Sequence, residues 1–457
     1  MLIAREYGKE QPYIPAGIFK IRLPFIHYKW EWSEFFQAIL MCATCLGAIP
    51  VLTEVLGVPY EIAWSMVIIN GMGYVLHSLL GDPVVPGWIT PSIPLTIAFL
   101  SNYIIGPERT QALVALQLEV ALIFIIFGIT GMANKVINVV PTSIKAGILL
   151  GAGVAAIYGE FKQGGRFGTY PIAVTIGVLV AFYLLFSQKF RNLRKKNKFA
   201  NALGKYGMLP AIAIAIVVGP IAGELPIPNI EIGTFFKFPD FAGVIRAVSP
   251  FSVGFPSMGV FIQALPMAAM AYIIAFGDFV TSESLIREAD EVRKDEHIDF
   301  NANRSNLISG IRNLIQAFIS PYTQLSGPLW AAVTASISQR FKDGREAMDS
   351  LVGGMGTFRW TTMIAVATIP VVTLVQPVLP VALSLTLLVQ GYICTRLAMD
   401  MCNTEMDKGI AGVMGTIIVA KSAAWGLAVG IILHFLLSSK KESVSVNDEP
   451  QVLDTTE

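Results

Sequence analysis

Apolar stretches of bilayer-spanning length recur along the whole of this 457-residue chain. They cover residues 34–55, 60–80, 109–131, 134–158, 170–187, 206–222, 261–285, 346–376, 378–396 and 409–437, the last long enough for two short helices. A helix needs about 20 apolar residues to cross the hydrocarbon core, and in lipid only a helix or a closed barrel satisfies its own backbone. Two more segments, 84–103 and 319–339, are apolar but broken near their starts by Pro and Gly, and 304–318 is short and more polar. Counting these predicts an all-α integral membrane protein of about fourteen spans.

Composition agrees, with 54% apolar and 14% charged residues, against roughly 45–50% and about 25% in a soluble domain. A net charge of +1 offers no basic surplus for nucleic acid, so the expected partners are membrane lipid and a small solute. No short apolar core with a small-residue cleavage site precedes the first span, so segment 1–33 is expected to remain as a cytoplasmic N-terminal segment. The basic stretches 189–205, 287–304 and 340–345 and the tail fall on one side if both termini are cytoplasmic, in a cell (inner or plasma) membrane. The polar, acidic tail 438–457 is expected to be disordered. Cys42, Cys45, Cys394 and Cys402 lie in or beside apolar segments without metal-ligand spacing, so they read as packing thiols, and no metal or organic cofactor is expected.

The broken segments belong to a repeat. PGWITPSIPLTIAFLS starts at Pro86 and PYTQLSGPLWAAVTAS at Pro321, an offset of 235 residues. VVPTSIKAGILLGAGV around Pro141 and VQPVLPVALSLTLLVQ around Pro377 give 236, so two pairs agree on one duplication. Seven spans per half is odd, which makes the halves inverted-topology repeats. The resulting division is a core domain (34–131 and 250–376), a gate domain (134–222 and 377–437) and an extracellular loop at 223–249. Interrupted segments at matching positions of such repeats mark the binding site. Pro lacks the backbone donor and Gly costs about 1 kcal/mol in a helix, so each arm should begin extended and turn helical half-way. Two short helices then aim their N-termini at one midplane point, where unpaired N–H groups suit an anion or a carbonyl. The hydroxyls of Thr90, Ser92, Thr323 and Ser326 are expected there, with a gap beside Ser326 that a Trp would fill.

Asp278 and Glu283 sit within the apolar stretch 265–285. A carboxylate in hydrocarbon costs at least about 2.5–3.5 kcal/mol, so such groups face a partner, a cavity or a solute. Asp278 shares a helix face with Ile274, Thr281 and Ser282, whereas Glu283 lies about 140° round from it. Asp278 is therefore the candidate cavity group, binding a proton or Na⁺, with a pair to Lys145, Arg312 or Lys421 as its structural reading. Glu283 reads as a surface pair with Arg287, Glu119 as a partner for an intramembrane cation, and His77 and His434 as structural. Arg312, leading into the second broken arm, could draw anions toward it.

These residues resemble the nucleobase and ascorbate (xanthine/uracil) permease family, within the uracil permease and sulfate permease superfamily, over most of residues 33–437. Gln37 and Pro50 flank small residues like the family's Gln-His-(eleven residues)-Pro element, with Ala38 in place of the His. Pro86-Gly-Trp-Ile-Thr-Pro-Ser-Ile-Pro94 is similar to the family's Pro-Ala-Tyr-Leu-Gly-Ser-Ser-Phe-Ala, and Val140-Pro141 through Gly147 to its Phe-Pro-Pro helix entry. LPMAAMAYIIAFGDF from Leu265 resembles the span carrying Glu-His-x-Gly-His/Asp, with Ile274 and Ala275 replacing the Glu and His and Gly277-Asp278 keeping the ending. The family's second substrate-binding Glu falls on Gly327, so the resemblance is to a divergent member lacking both carboxylates.

The resemblance implies a homodimeric secondary transporter, a permease for a small polar solute of nucleobase type, coupled to H⁺ or Na⁺ through Asp278. It places substrate contacts at Ala43, Cys45, Thr90, Ser92, Ile93, Ile274, Asp278, Thr323, Leu325, Ser326 and Gly327. A sulfate-permease type of carrier for sulfate, bicarbonate or dicarboxylate is the alternative, and a channel is the reading from another class. An enzyme is not expected. The chain has no His-Glu-x-x-His, no Gly-x-Gly-Asp and no evident Ser beside a membrane His, and Gly254-Phe-Pro-Ser257-Met-Gly resembles a nucleophile turn only loosely.

Overall fold

Glycine and proline set where the helices start and stop in the computed structural model, which describes residues 3–133, 135, 139–205 and 208–437. The expected first span divides at Gly47 into α1 (Trp32–Leu46) and α2 (Ala48–Leu56), and Gly57, at φ 73°, ends α2. Pro59 precedes α3 (Tyr60–Leu79), and Gly106 and Pro107 open α5 (Pro107–Thr130), which follows the short α4 (Ile93–Leu100). Next come α6 (Thr142–Phe161), α7 (Pro171–Phe186) and α8 (Leu209–Ile221). The second half holds α9 (Met258–Val292), α10 (Ala302–Ile319), α11 (Ala331–Lys342), α12 (Leu351–Ala365), α13 (Leu379–Met401), α14 (Glu405–Ala420) and α15 (Ala423–Leu437). The stretch 346–376, expected as one span, breaks after α12 into a second short helix, Ile369–Val375. The loop 223–249 contains a helix, Phe241–Val248, whose N-cap Asp240 accepts from Gly243 N at 2.8 Å.

Among the described residues, six helical segments are long and apolar enough to cross a membrane, and a bent pair (Pro171–Phe186 with Gln188–Lys196) would be a seventh. The shortfall from fourteen has two physical sources. The helices α4, α8 and α15 are short, while α10 and α12 bury Arg304, Arg312 and Arg359 inside the fold. The expected tail 438–457 lies outside the described residues.

The helices pack in two groups, joined by apolar clusters that draw residues from both. In one, α9 and α10 pack on α5, α12 on α1 and α3, and α11 on α9. In the other, α13 and α14 pack on α6, α15 on α14, and α8 and α13 on α7. The groups touch where α4 meets α6 and α2 meets α13. All four cysteines are buried and unpaired, as packing thiols would be.

The N-terminal segment is more than a leader to the first span. A hairpin of β1 (Ile14–Ala16) and β2 (Phe19–Ile21) lies against the end of α3, where Lys20 N and Arg22 N donate to Leu80 O and Leu79 O at 3.1 and 2.9 Å. Arg5 pairs with Asp295 and Glu296, both at 2.8 Å, and Lys20 with Asp299 at 2.6 Å, so the segment straps the ends of α3, α9 and α10 together. Burial pushes the Glu296 carboxyl up, and Arg5 is the largest opposing influence. Removing one partner of a buried pair costs about 3–5 kcal/mol. Arg5→Ala is therefore expected to lower the melting temperature by several degrees and to expose residues 3–31 to protease; an unchanged digestion pattern would show that the strap holds without this pair.

Candidate functional site

The two proline-broken arms meet. β3 (Gly87–Trp88) pairs antiparallel with β4 (Ser326–Gly327), Gly87 facing Gly327 and Trp88 facing Ser326. Ile89 N donates to Leu325 O at 2.9 Å and Trp330 N to Val85 O at 2.6 Å, while Val85 N donates to Thr334 Oγ1 at 3.1 Å. The glycines permit this approach: a Cβ at Gly87 would lie 2.5 Å from Leu329 O, and one at Gly327 2.9 Å from Ile89 N. Beyond the strands the first arm passes through a 3-10 turn (Thr90–Ser92) into α4, and the second enters α11 at Ala331. Neither helix start is capped by a side chain; α4 continues from the turn, with Ile93 N donating to Thr90 O and Pro94 carrying no N–H, so only the start of α11 leaves N–H groups to other acceptors.

Arg312, on α10, ties the arms to each other. It donates from Nη2 to Gly87 O at 2.6 Å and from Nε to Ser326 Oγ at 2.8 Å. Asn313 holds Ser326 at both backbone atoms, accepting from N at 3.0 Å and donating to O at 2.8 Å. Ser326 Oγ donates to Gln316 Oε1 at 2.5 Å, and Gln316 Nε2 donates to Asn70 Oδ1 at 2.5 Å. Arg312 thus sits at the crossing itself rather than on an approach to it.

A second guanidinium lies beside the first. Arg312 stacks on the Tyr74 ring with its carbon 4.6 Å from the centroid, and Arg359, from α12, stacks on the same ring at 4.1 Å. Trp330 and Phe358 complete the surroundings of Arg359 at 5.3 and 5.6 Å. Both arginines are fully buried. Among the described residues the Nε, Nη1 and Nη2 of Arg359 have no hydrogen-bond partner, nor do the buried Trp88 Nε1 and Tyr322 Oη. No carboxylate pairs with either arginine among the described residues. Sequence reasoning passed over Arg359; its signal was a single cation inside the stretch LVGGMGTFRWTTMIA.

The hydroxyls expected to face a ligand are engaged by the protein. Thr90 Oγ1 donates to Trp88 O at 3.4 Å, Ser92 Oγ to Ile89 O at 2.7 Å and Thr323 Oγ1 to Gln324 Oε1 at 2.8 Å. Ser326 is completely buried between Arg312, Asn313 and Gln316, so no open gap adjoins it and a Trp there would break the crossing instead of filling a void. Ile274 packs with Ile89, Leu95 and Leu325 in one apolar cluster, and Cys45 and Ile93 belong to another with Tyr322. Ala43 lies on α1 with a side chain outside those described.

Asp278 is half-buried one turn beyond Ile274, and Ser282 Oγ donates to its backbone oxygen at 2.7 Å. Among the described residues its carboxylate has no ion pair, so Lys145, Arg312 and Lys421 do not neutralise it. Glu283 pairs with Arg287 at 2.6 Å on the surface, as its spacing predicts. Glu119 corrects an expectation: its Oε2 is buried without a partner, and among the described residues it pairs with no cation.

Serines do lie near the membrane histidines, another correction. Ser143 Oγ is 3.1 Å from His434 Nδ1, and in a buried group His77 Nδ1 and Ser305 Oγ both bond Asp82 Oδ2, at 2.8 and 2.6 Å. In the second group the serine meets the carboxylate rather than the imidazole, so no nucleophile–base–orienter chain forms. A cleft of about 1030 Å³ runs between the two helix groups, from Glu160, Arg166 and Lys421 to Pro94 at the start of α4 and Pro266 of α9. At its mouth Arg166 bonds Glu54 and Glu160 at 2.5 and 2.6 Å, one from each group.

No family profile and no curated protein matches the sequence. Solved structures match its fold. The transmembrane domain of a cyanobacterium bicarbonate transporter, BicA, aligns at 14% identity and a TM-score of 0.51 over 87% of this chain and 97% of that one. The murine Slc26a9 anion transporter in the inward-facing state aligns at 14% identity and 0.52 over 90% and 69%. Another SLC26A9 structure aligns at 13% and 0.53 over 90% and 66%. The chain has the all-α fold of these membrane transporters, the fold expected for the uracil permease and sulfate permease superfamily.

Proposed function

We propose that the protein is a secondary active transporter for a small anion, held where the two broken arms cross. One observation carries the reading: two fully buried guanidiniums share the Tyr74 ring with no carboxylate paired to them among the described residues. An arginine does not shed its proton, and leaving a buried charge unpaired costs several kcal/mol, of which stacking on an aromatic face returns about 2. The uncapped start of α11, at Trp330 beside Arg359, adds positive potential. An anion is the ligand such a site favours, and the bicarbonate and anion transporters with this fold agree in sign.

The nucleobase alternative loses its grip on both sides. Its two carboxylates are replaced by Ile274, inside an apolar cluster, and by Gly327, inside a closed strand pair. The rest of the proposal follows the inverted-repeat scheme: fourteen crossings, cytoplasmic termini, a homodimer, and a core (34–131, 250–376) that moves against a gate (134–222, 377–437). Thr90, Ser92, Ile93, Thr323, Leu325, Ser326 and Gly327 shape the crossing, Cys45 and Ile274 border it, and Asp278 couples transport. A carboxylate near an anion route repels the cargo unless neutralised, which links uptake to H⁺ or Na⁺.

Uptake into proteoliposomes tests this. Bicarbonate, sulfate, acetate or succinate should enter saturably and accumulate under a pH or Na⁺ gradient, whereas flux linear in concentration would indicate a channel. Asp278→Asn should fold and insert normally yet lose gradient-driven accumulation; full accumulation by that variant would remove Asp278 from coupling. Uracil entering faster than every anion would overturn the anion reading.

A further inference from the structure

The two buried arginines are chemically different. Arg312 directs its guanidinium nitrogens at the arms, to Gly87 O at 2.6 Å, Ser326 Oγ at 2.8 Å and Gly327 O at 3.4 Å. Arg359 spends none of its nitrogens on the described residues. Its face is covered by Tyr74 and its flanks by Trp330 and Phe358, so what remains is a planar edge of N–H donors in an aromatic enclosure. Tyr322 shares with Arg359 the neighbours Tyr74 and Cys45, and its ring lies 6.3 Å from that of Trp88. Trp88 Nε1 can only donate and Tyr322 Oη can donate, so with the Arg359 edge this corner of the fold is rich in N–H and O–H groups.

We infer that Arg359 recognises the cargo directly and that the cargo is a small organic carboxylate, its two oxygens paired with the guanidinium edge and its hydrocarbon part against Trp330 and Trp88. The inference rests on the anion-carrier reading and narrows it. A carboxylate is planar and acceptor-only, and it matches a guanidinium fork with two parallel hydrogen bonds, a geometry that neither a spherical halide nor an ammonium in place of the guanidinium reproduces. The enclosure makes the second choice. Aromatic walls stabilise a ligand that brings apolar surface, while sulfate and chloride would lose hydration there and gain no apolar contact. Arg312, saturated by the arms, holds the site's shape and supplies charge.

Trp330 at 5.3 Å from Arg359 gives the test a local reporter. Purified wild-type protein is titrated with acetate, butyrate, succinate, bicarbonate, nitrate, sulfate and chloride, reading tryptophan fluorescence and melting temperature. Butyrate or succinate should saturate both signals at concentrations at least tenfold below those needed for sulfate or chloride. Equal responses to sulfate would overturn the carboxylate assignment without any variant being made, and bicarbonate or nitrate binding more tightly than butyrate would overturn the role of the apolar walls. Arg359→Lys, which keeps the charge and loses the fork, should weaken carboxylate binding at least tenfold, with KM raised more than the maximal rate falls. Unchanged carboxylate affinity in Arg359→Lys overturns the inference while the carrier reading stands. Failure of every anion to bind wild-type protein, with uracil binding in their place, overturns the carrier reading itself.

Discussion

Gly327→Glu, which restores the carboxylate of the nucleobase permeases at its aligned position, is expected to abolish uptake of every solute rather than to create a nucleobase site. Gly327 faces Gly87 across a two-stranded pair, and its added Cβ would lie 2.9 Å from Ile89 N, 2.9 Å from Trp88 C and 3.0 Å from Trp88 O. These are backbone atoms and cannot swing aside as the tip of a side chain can. The strands would have to separate, leaving buried N–H and C=O groups unpaired at about 1–3 kcal/mol each. The new carboxylate could then meet Arg312 only by displacing the bonds that arginine already makes. Gly327→Ala carries the steric part alone and should lower uptake at least tenfold. Gly259→Ala is the control, because a Cβ there meets nothing closer than Ser257 Oγ at 3.8 Å. Proteoliposome uptake and melting temperature measured together decide the matter. A Gly327→Glu protein that melts like wild type and binds uracil would mean that the arms tolerate opening, and the nucleobase reading would return.

The arms were legible in the sequence because proline and glycine act on their own backbone: Pro86-Gly87 and Pro321 with Gly327 and Pro328 each weaken helix over a short stretch. The partners of those arms were not. Arg359 is one cation in an apolar segment, and nothing local distinguishes an arginine paired to a distant acid from one left with free donors. The serine and threonine hydroxyls failed as guides for a related reason. Ser92 Oγ bonds Ile89 O three residues back, a local alternative open to any such side chain, so a hydroxyl at a helix start does not by itself point to a ligand. The strap was hidden by sequence distance, Arg5 meeting Asp295 some 290 residues away. The charges at 278 and 283 show the useful case: helical periodicity separated a surface pair, Glu283 with Arg287, from the unpaired Asp278 on another face.

Arg312→Met should separate function from stability. The guanidinium reaches both arms, Gly87 O at 2.6 Å on one and Ser326 Oγ at 2.8 Å on the other, and hydrogen bonds from a charged donor contribute about 1.5–3 kcal/mol each. Against that loss stands a gain: a fully buried cation without a counter-ion is removed, and replacing buried ions by apolar residues of similar volume is often neutral or stabilising by about 1–4 kcal/mol. The two effects oppose each other, so the melting temperature should move by only a few degrees. Uptake has no such compensation. The arms lose their tie and the crossing loses half of its fixed charge, so transport should fall at least 100-fold while the protein remains folded. Arg312→Lys should not rescue it, since an ammonium on a flexible stem cannot bond both arms in the fixed geometry of a fork. Hydrogen exchange would locate the change, rising at residues 85–89 and 325–330 with little effect elsewhere. If Arg312→Met transports at the wild-type rate, the crossing does not depend on this tie and the anion's positive environment must be sought in Arg359 alone.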